Sequence, residues 1–424
     1  MARISRNTIA TKVALYSLPP AGGDFFPISL GYIAAALQAH GVETAIAEIE
    51  AVNKNTANHV IRFIKQFKPT LVGFSVYQAN IKLALQLAHL VKTINPETII
   101  VFGGPQITFM PKEALEEMAD VDILMRGEGE TAWPRLVDAI EHNTDPRDID
   151  GIAFIHDDKA IETKKAKLTD DLDAFPSPYK EVFDLRAHST ALMLTSRGCT
   201  FNCAFCYTPR AFERRIRAHS IKRVIDDMAI CVKNKIRRFY FADPAFTFDK
   251  KRTTTIMNEI IKRNWKIEIW CETRDDLIDE PLLRLMAKAG VKYIAYGLES
   301  ADEAVNKVLR KKIDLKNFKR IIQATHDAGI TPEVFTLYGL PGQDKASCLK
   351  TIQFLKGLKI NLIGNSAGQQ LNLFFGTDIH DNPKQYGLKI VKKFPKYLSP
   401  GIEYTSSHIN KKEIAEIARK YMVK

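Results

Sequence analysis

The sequence lacks the features that would place it in a bilayer or outside a reducing compartment. No stretch of its 424 residues reaches the roughly 18 consecutive apolar side chains of a membrane span. The basic segment 1–7 is not followed by the apolar run of a secretory signal. Cysteines number only six, which argues against a disulfide framework and for the cytoplasm. The net charge is +12, yet the positive residues are dispersed in small groups such as Lys164, Lys165 and Lys167, or Lys311 and Lys312. No basic stripe interleaved with aromatics occurs, so no nucleic-acid partner is expected. Phosphate-binding motifs are also missing.

Three of the six cysteines, Cys199, Cys203 and Cys206, fall within eight residues, spaced Cys-x-x-x-Cys-x-x-Cys. A closed zinc site needs a fourth ligand. His219 or Cys231 could supply one, but neither belongs to a recognisable pair. A fully ligated ferredoxin cluster would need a fourth cysteine nearby. Three thiolates on one loop instead suit three irons of a [4Fe–4S] cubane, whose fourth iron is left open for chemistry. Cys231 and Cys348 fall in helical patterns and read as core; Cys271 ends a strand and could face a cavity.

The chain alternates short apolar runs with amphipathic helical patterns, which predicts α/β architecture with parallel sheets. In residues 1–145, strands are expected at 12–17, 42–48, 71–75, 98–102 and 122–125, with helices at 28–40, 55–67 and 81–94 between them. This is the pattern of a doubly wound, Rossmann-like sheet, whose ligands lie beyond the carboxyl ends of the strands. Residues 146–190 read as a hairpin followed by a charged, proline-bearing linker. From 191 to 380 six strand–helix units are expected, fitting a partial (β/α)6 barrel with its active residues on the loops after each strand. Residues 381–424 form a short C-terminal segment with one helix, apolar on the face of Ile414, Ile417, Ala418 and Tyr421.

The cysteine spacing, with aromatic Phe205 before the last cysteine, resembles the signature of radical S-adenosylmethionine (SAM) enzymes. The N-terminal part resembles the cobalamin-binding (B12-binding) domain that precedes the barrel in one branch of that superfamily, a methyltransferase-like branch. The resemblance implies three cofactors: a [4Fe–4S] cluster on Cys199, Cys203 and Cys206, SAM chelated to the open iron, and cobalamin. It implies that Phe205 lies against adenine and that Asp243 meets the SAM amine, although Asp243 could equally be a strand-end turn residue. Arg274 suits the SAM carboxylate, since a guanidinium fork matches that shape. An ion pair between Arg274 and Glu299 that only stiffens the barrel is the alternative. Glu299 and Ser300 match the family's Gly-x-Glu-Ser segment. Gly339 and Gly342 match a turn where backbone approaches the adenosine.

For cobalamin, the resemblance points to Pro20, Ser75, Tyr77, Gly103, Gly104, Pro105, Gln106, Gly127 and Glu128 on the strand-end loops. The alternative is a doubly wound domain with another ligand or none. No Asp-x-His-x-x-Gly segment is present, so no histidine ligand to cobalt is expected. The sequence departs from the family where Gln106 stands for a frequent histidine, where Gln343 stands for a usual glutamate, where Asp243 is a lone carboxylate, and in its short C-terminal segment.

The implied reaction is methylation of an unactivated carbon. One SAM methylates cobalamin, a second is cleaved to a 5′-deoxyadenosyl radical, and the substrate radical collects the methyl group. Ring formation, contraction or oxidation by the same radical is the alternative, and a non-catalytic cobalamin sensor a third. The expected partners are a small-molecule, peptide or lipid substrate and an electron donor such as flavodoxin or ferredoxin.

Overall fold

The computed structural model describes residues 10–19, 25–358, 360, 369–392 and 403–421. The chain forms two compact units that divide after His188, with the described residues 403–421 belonging to the second.

The first unit is built on a seven-stranded sheet. Its strands are β1 (Lys12–Ser17), β2 (Glu43–Glu48), β3 (Leu71–Ser75), β4 (Ile99–Gly103), β5 (Ile123–Met125), β6 (Ile152–His156) and β7 (Lys159–Glu162). The spatial order is β2-β1-β3-β4-β5-β6-β7. The first five are parallel, and the order 2-1-3-4-5 is a doubly wound arrangement with its switch point between β1 and β3. The hairpin β6–β7 adds antiparallel to β5, so the segment after residue 145 continues this sheet. The middles of β1, β3 and β4 are apolar on both sides because helices cover both faces. On one face Val13, Leu15, Leu71 and Val101 pack with Trp133, Leu136 and Val137 from the helix Ala132–His142. Gly73 permits this contact: a Cβ there would lie 2.7 Å from the Trp133 ring and 2.8 Å from Leu15.

The second unit holds six parallel strands: β8 (Thr190–Met193), then, after a short antiparallel pair β9 (Ser196–Gly198) and β10 (Ile216–Ala218), β11 (Arg238–Phe241), β12 (Glu268–Thr273), β13 (Val291–Glu299), β14 (Thr331–Tyr338) and β15 (Gln369–Gln370). Their order is sequential, β8-β11-β12-β13-β14-β15, as in an open partial barrel with a helix after each strand. The helices start on side-chain caps: Ser220, Asp249, Asp279, Asp314 and Asp344 each accept a hydrogen bond from a backbone N–H of the first turn.

The helix-facing side of this sheet is fully buried. Tyr296 reaches Thr325 on the helix Leu315–Asp327 at 2.8 Å, and Cys271 shares that face, buried. Cys271 therefore packs in the core rather than facing the barrel interior. The opposite side, carrying Tyr240, Trp270, Glu272, Glu333 and Phe335, remains half exposed. The C-terminal hairpin β16 (Leu388–Lys392) and β17 (Glu403–Ser406) and the helix Lys411–Tyr421 return to this unit. Ile414 and Ile417 bury against Tyr338, Cys348 and Ile352; the Ala418 and Tyr421 side chains lie outside the described residues.

Candidate active site

Cys199, Cys203 and Cys206 lie on the loop that leaves β9. All three are free and half exposed. The loop is tied down at its middle, where buried Ala204 accepts from Ile379 N at 3.2 Å and donates its own N–H to Leu309 O at 2.9 Å. Gly198 precedes the first cysteine with φ +97°, and a Cβ there would overlap Arg215 O. Only glycine allows the β9 and β10 backbones to approach so closely at the loop's base.

Two cations flank the loop. Arg274 lies 3.9 Å from the Phe201 ring centroid, and Lys311 Nζ lies 5.9 Å from that of Phe205. Burial pushes the Cys199 and Cys203 thiols up, and the mutual repulsion of the cysteine sulfurs adds to it. Arg274 opposes the rise at both, and Lys311 opposes it at Cys203. Ligation must therefore displace the thiol protons. Among the described residues no three His, Cys, Asp or Glu side chains converge as for a single metal ion. Three free thiols spread along one loop beside two cations fit the corners of a cubane better than a mononuclear zinc site.

The neighbouring loops do not form the alternative ion pair between Arg274 and Glu299. Arg274 forks onto Asp276 with two bonds of 2.8 Å and donates to Lys312 O at 2.9 Å. It does not pair with Glu299. Glu299 instead accepts from Lys311 at 2.6 Å, both side chains being buried. Glu299 sits at φ +61°, an uncommon conformation for a non-glycine residue, where the β13–β14 register shifts. Ser300 is wholly buried. Its oxygen accepts from Asp302 N at 3.1 Å, and its carbonyl accepts from Asn306 Nδ2 at 2.6 Å. Gly339 and Gly342 both adopt φ +79°. Gln343 braces their turn: its Oε1 accepts from Gly339 N at 2.8 Å and Leu340 N at 3.2 Å, while its Nε2 donates to Leu337 O at 3.4 Å. An ionised glutamate could not make that last bond.

Asp243 is wholly buried. It accepts from Thr195 N at 2.7 Å, from the Ser196 hydroxyl at 2.9 Å and from the Thr195 hydroxyl. Burial raises its carboxyl above the usual range, and these hydrogen bonds pull it back. Both oxygens bond to residues 195–196, so Asp243 holds the root of the cysteine loop. Glu272, which shares the barrel's inner side, is likewise pushed up by burial.

In the first unit the strand-end loops are stitched together. Asn80, buried, accepts from Tyr77 N at 2.8 Å and donates to Ser75 O at 3.3 Å and Leu18 O at 3.5 Å, joining the loops after β1 and β3. Val76 N donates to Gly103 O at 2.7 Å. Gly104, at φ +104°, would set a Cβ 2.8 Å from Val76 O. Thr108, on the short helix Pro105–Thr108, accepts from Gly127 N at 3.2 Å. Gln106 is buried, Tyr77, Gly103, Gly104, Pro105 and Glu128 are half-buried, and Gly127 is exposed with nothing near its missing Cβ. Pro20 lies outside the described residues. A rim braced from below and poor in side chains at Gly103, Gly104 and Gly127 fits a large planar ring approached by backbone.

Sequence reading missed the braces Asn80, Thr108, Thr195 and Lys311. A single polar residue in a loop carries no spacing signal; only Asn80, one residue before a helix, held a hint as a capping type.

Residues 19–137 match the B12 binding domain and residues 193–355 match the Radical SAM superfamily. Fold, cysteine loop and match together define a radical SAM enzyme. With a B12-binding domain ahead of the barrel it is a cobalamin-binding one, whose cofactors are a [4Fe–4S] cluster, SAM and cobalamin. The chain is 25% identical over 401 residues to the uncharacterized methyltransferase PH0819 of Pyrococcus horikoshii, covering 93% of this chain and 86% of that one. It is 29% identical over 347 residues to the anaerobic magnesium-protoporphyrin IX monomethyl ester cyclase of Rubrivivax gelatinosus, covering 79% of this chain and 62% of the cyclase. Its fold is that of the radical SAM methyltransferase TsrM of Kitasatospora setae, with a TM-score of 0.76 at 17% identity, over 89% of this chain and 78% of TsrM.

Proposed function

We propose that the protein is a C-methyltransferase acting on an unactivated carbon of its substrate. The observation that carries this reading is the pairing, in one chain, of a braced B12-binding rim with an open three-cysteine loop at the end of a parallel barrel. When bound, the cluster supplies the electron that splits SAM, and cobalamin supplies a methyl carrier.

The chain's own residues bind, orient and shield. Cys199, Cys203 and Cys206 hold three corners of the cluster and leave the fourth to SAM. The planar, fixed-charge guanidinium of Arg274, whose Nε and Nη2 are taken by Asp276 and Lys312 O, keeps its Nη1 donors for the SAM carboxylate. Glu299, held by Lys311, is placed for the SAM ribose or amine. The turn at Gly339 and Gly342, fixed from within by Gln343, offers backbone to the adenosine. In the first unit Ser75, Tyr77, Gly103, Gly104, Pro105, Gln106, Gly127 and Glu128 form the cobalamin rim, and Pro20, in the loop sequence after β1, is assigned to it from the sequence alone. The six free thiols suit the cytoplasm, where a flavodoxin- or ferredoxin-like protein would deliver the electrons. No helix among the described residues is long and apolar enough to cross a membrane.

The cyclase relative favours a second reading, radical ring formation without methyl transfer. Turnover of anaerobic holoenzyme with candidate substrates separates the two. Methyl transfer yields a product one methyl group heavier, with S-adenosylhomocysteine and 5′-deoxyadenosine both formed. Cyclisation yields 5′-deoxyadenosine without S-adenosylhomocysteine.

A further inference from the structure

The inner side of the barrel sheet carries a constellation that no cofactor in the reading above uses. Tyr240 on β11 donates its hydroxyl to Glu272 on β12 at 2.8 Å. Trp270, two residues before Glu272 on the same face, donates Nε1 to Glu333 on β14 at 2.9 Å. The Tyr240 and Trp270 rings meet edge to face at 4.2 Å, so each carboxylate is held by one member of an interlocked aromatic pair.

Register fixes where the two carboxylates stand. Glu272, Ala295 and Glu333 are aligned across β12, β13 and β14. The glutamates therefore flank small Ala295 with roughly 10 Å between their strands. That spacing leaves room for a ligand group between them. Among the described residues each has only its aromatic donor, and no lysine, arginine or histidine neutralises either one. Both remain half exposed in the barrel, as does Phe335 on the same face, where Tyr293 is exposed at 43%.

We propose that Glu272 and Glu333 bind a positively charged nitrogen of the substrate, an ammonium or a guanidinium, inside the barrel. This rests on the catalytic reading above and names the class of molecule it would act on. Two carboxylates on a half-buried face, with no cationic partner among the described residues, favour a cation strongly and reject an anion. The faces of Tyr240, Trp270 and Phe335 add cation–π attraction and cover the adjoining apolar part. Ala295 lies four residues before Glu299 on β13, roughly 13 Å along the strand. The charged nitrogen and the reacting carbon thus belong to opposite ends of an elongated substrate.

The test uses the full chain loaded anaerobically with cluster and cobalamin, and two probes of one shape, 4-phenylbutylammonium and the neutral 4-phenylbutan-1-ol. Calorimetric titration is expected to show the ammonium binding about tenfold or more tightly than the alcohol. Glu272→Gln and Glu333→Gln, each of which keeps an oxygen to accept from its aromatic donor, are expected to erase most of that preference. Equal affinities, binding of neither probe, or a preference unchanged in both variants overturns the proposal. Reductive SAM cleavage by the wild-type preparation is measured alongside. If cleavage is present and the charge preference absent, this inference fails while the catalytic reading stands; if cleavage is absent, the catalytic reading itself fails.

Discussion

Lys311 Nζ lies 2.6 Å from Glu299 Oε1, both residues buried at the end of β13, and Gly297 is what leaves them room. A Cβ at position 297 would overlap Lys311 Nζ and come within 2.8 Å of Glu299 Oε1. Lys311 is also the cation that opposes the burial-driven rise of the Cys203 thiol. One ion pair thus links Glu299, the carboxylate proposed to meet SAM, to the cation beside the cluster loop. Removing one partner strands the other as a buried charge, which destabilises by about 3–5 kcal/mol. Lys311→Met is expected to lower the unfolding midpoint in anaerobic denaturant titration. Combining it with Glu299→Gln is expected to restore part of the loss, and Gly297→Ala to weaken SAM binding.

The three loop cysteines and the three core cysteines should behave as separate groups. Alanine at Cys199, Cys203 or Cys206 is expected to abolish cluster incorporation and SAM cleavage while leaving the fold intact, because these side chains are half exposed. Alanine at Cys271 is expected to leave iron content unchanged and to destabilise by about 1–2 kcal/mol, the loss of one buried sulfur. Iron analysis with thermal unfolding distinguishes the groups.

Asp243 gives a pH signature. Its folded-state carboxyl is raised by burial, so the folded protein binds this proton more tightly than the unfolded chain. Its contribution is then largest at low pH and falls as pH rises from the unfolded value of 3.8 through the raised folded value. Asp243→Asn removes that titration. The stability difference between variant and parent should shift in favour of the variant as pH climbs above the ordinary carboxylate range, read by denaturant midpoints across pH. SAM cleavage should survive in Asp243→Asn if the residue only holds Thr195 and Ser196. Asp243→Ala orphans three donors, at about 1–3 kcal/mol each, and is expected to lose the cluster.

Asn80 is the keystone of the first unit's rim. Asn80→Ala removes its bonds to Tyr77, Ser75 and Leu18, and is expected to lower cobalamin affinity at least severalfold with little effect on iron content. Equilibrium dialysis with cobalamin measures it.

What could be read in the sequence was whatever carried a period or a fixed spacing. The doubly wound strands were legible because β1, β3 and β4 each contain an unbroken apolar run, 13–16, 71–74 and 99–102, and the cysteine loop because three rare side chains recur at set intervals. The pair β9–β10 is three residues a side and left no pattern. Trp270 and Glu333 are sequence-distant and look like ordinary strand residues; only the β12–β13–β14 register brings Glu333 to the level of Glu272. The alternative ion pair between Arg274 and Glu299 is absent for the same reason. A fork such as Arg274 chooses among nearby carboxylates by geometry, and Asp276, two residues on, was within reach.

The most direct measurement is iron, sulfide and cobalt per chain after anaerobic reconstitution, with the reduced protein's paramagnetic resonance recorded before and after adding SAM. About four irons, four sulfides and one cobalt per chain, with a cluster signal that changes when SAM is added, are expected. Zinc in place of iron, a cluster signal indifferent to SAM, or protein that takes up no cobalt would contradict the account.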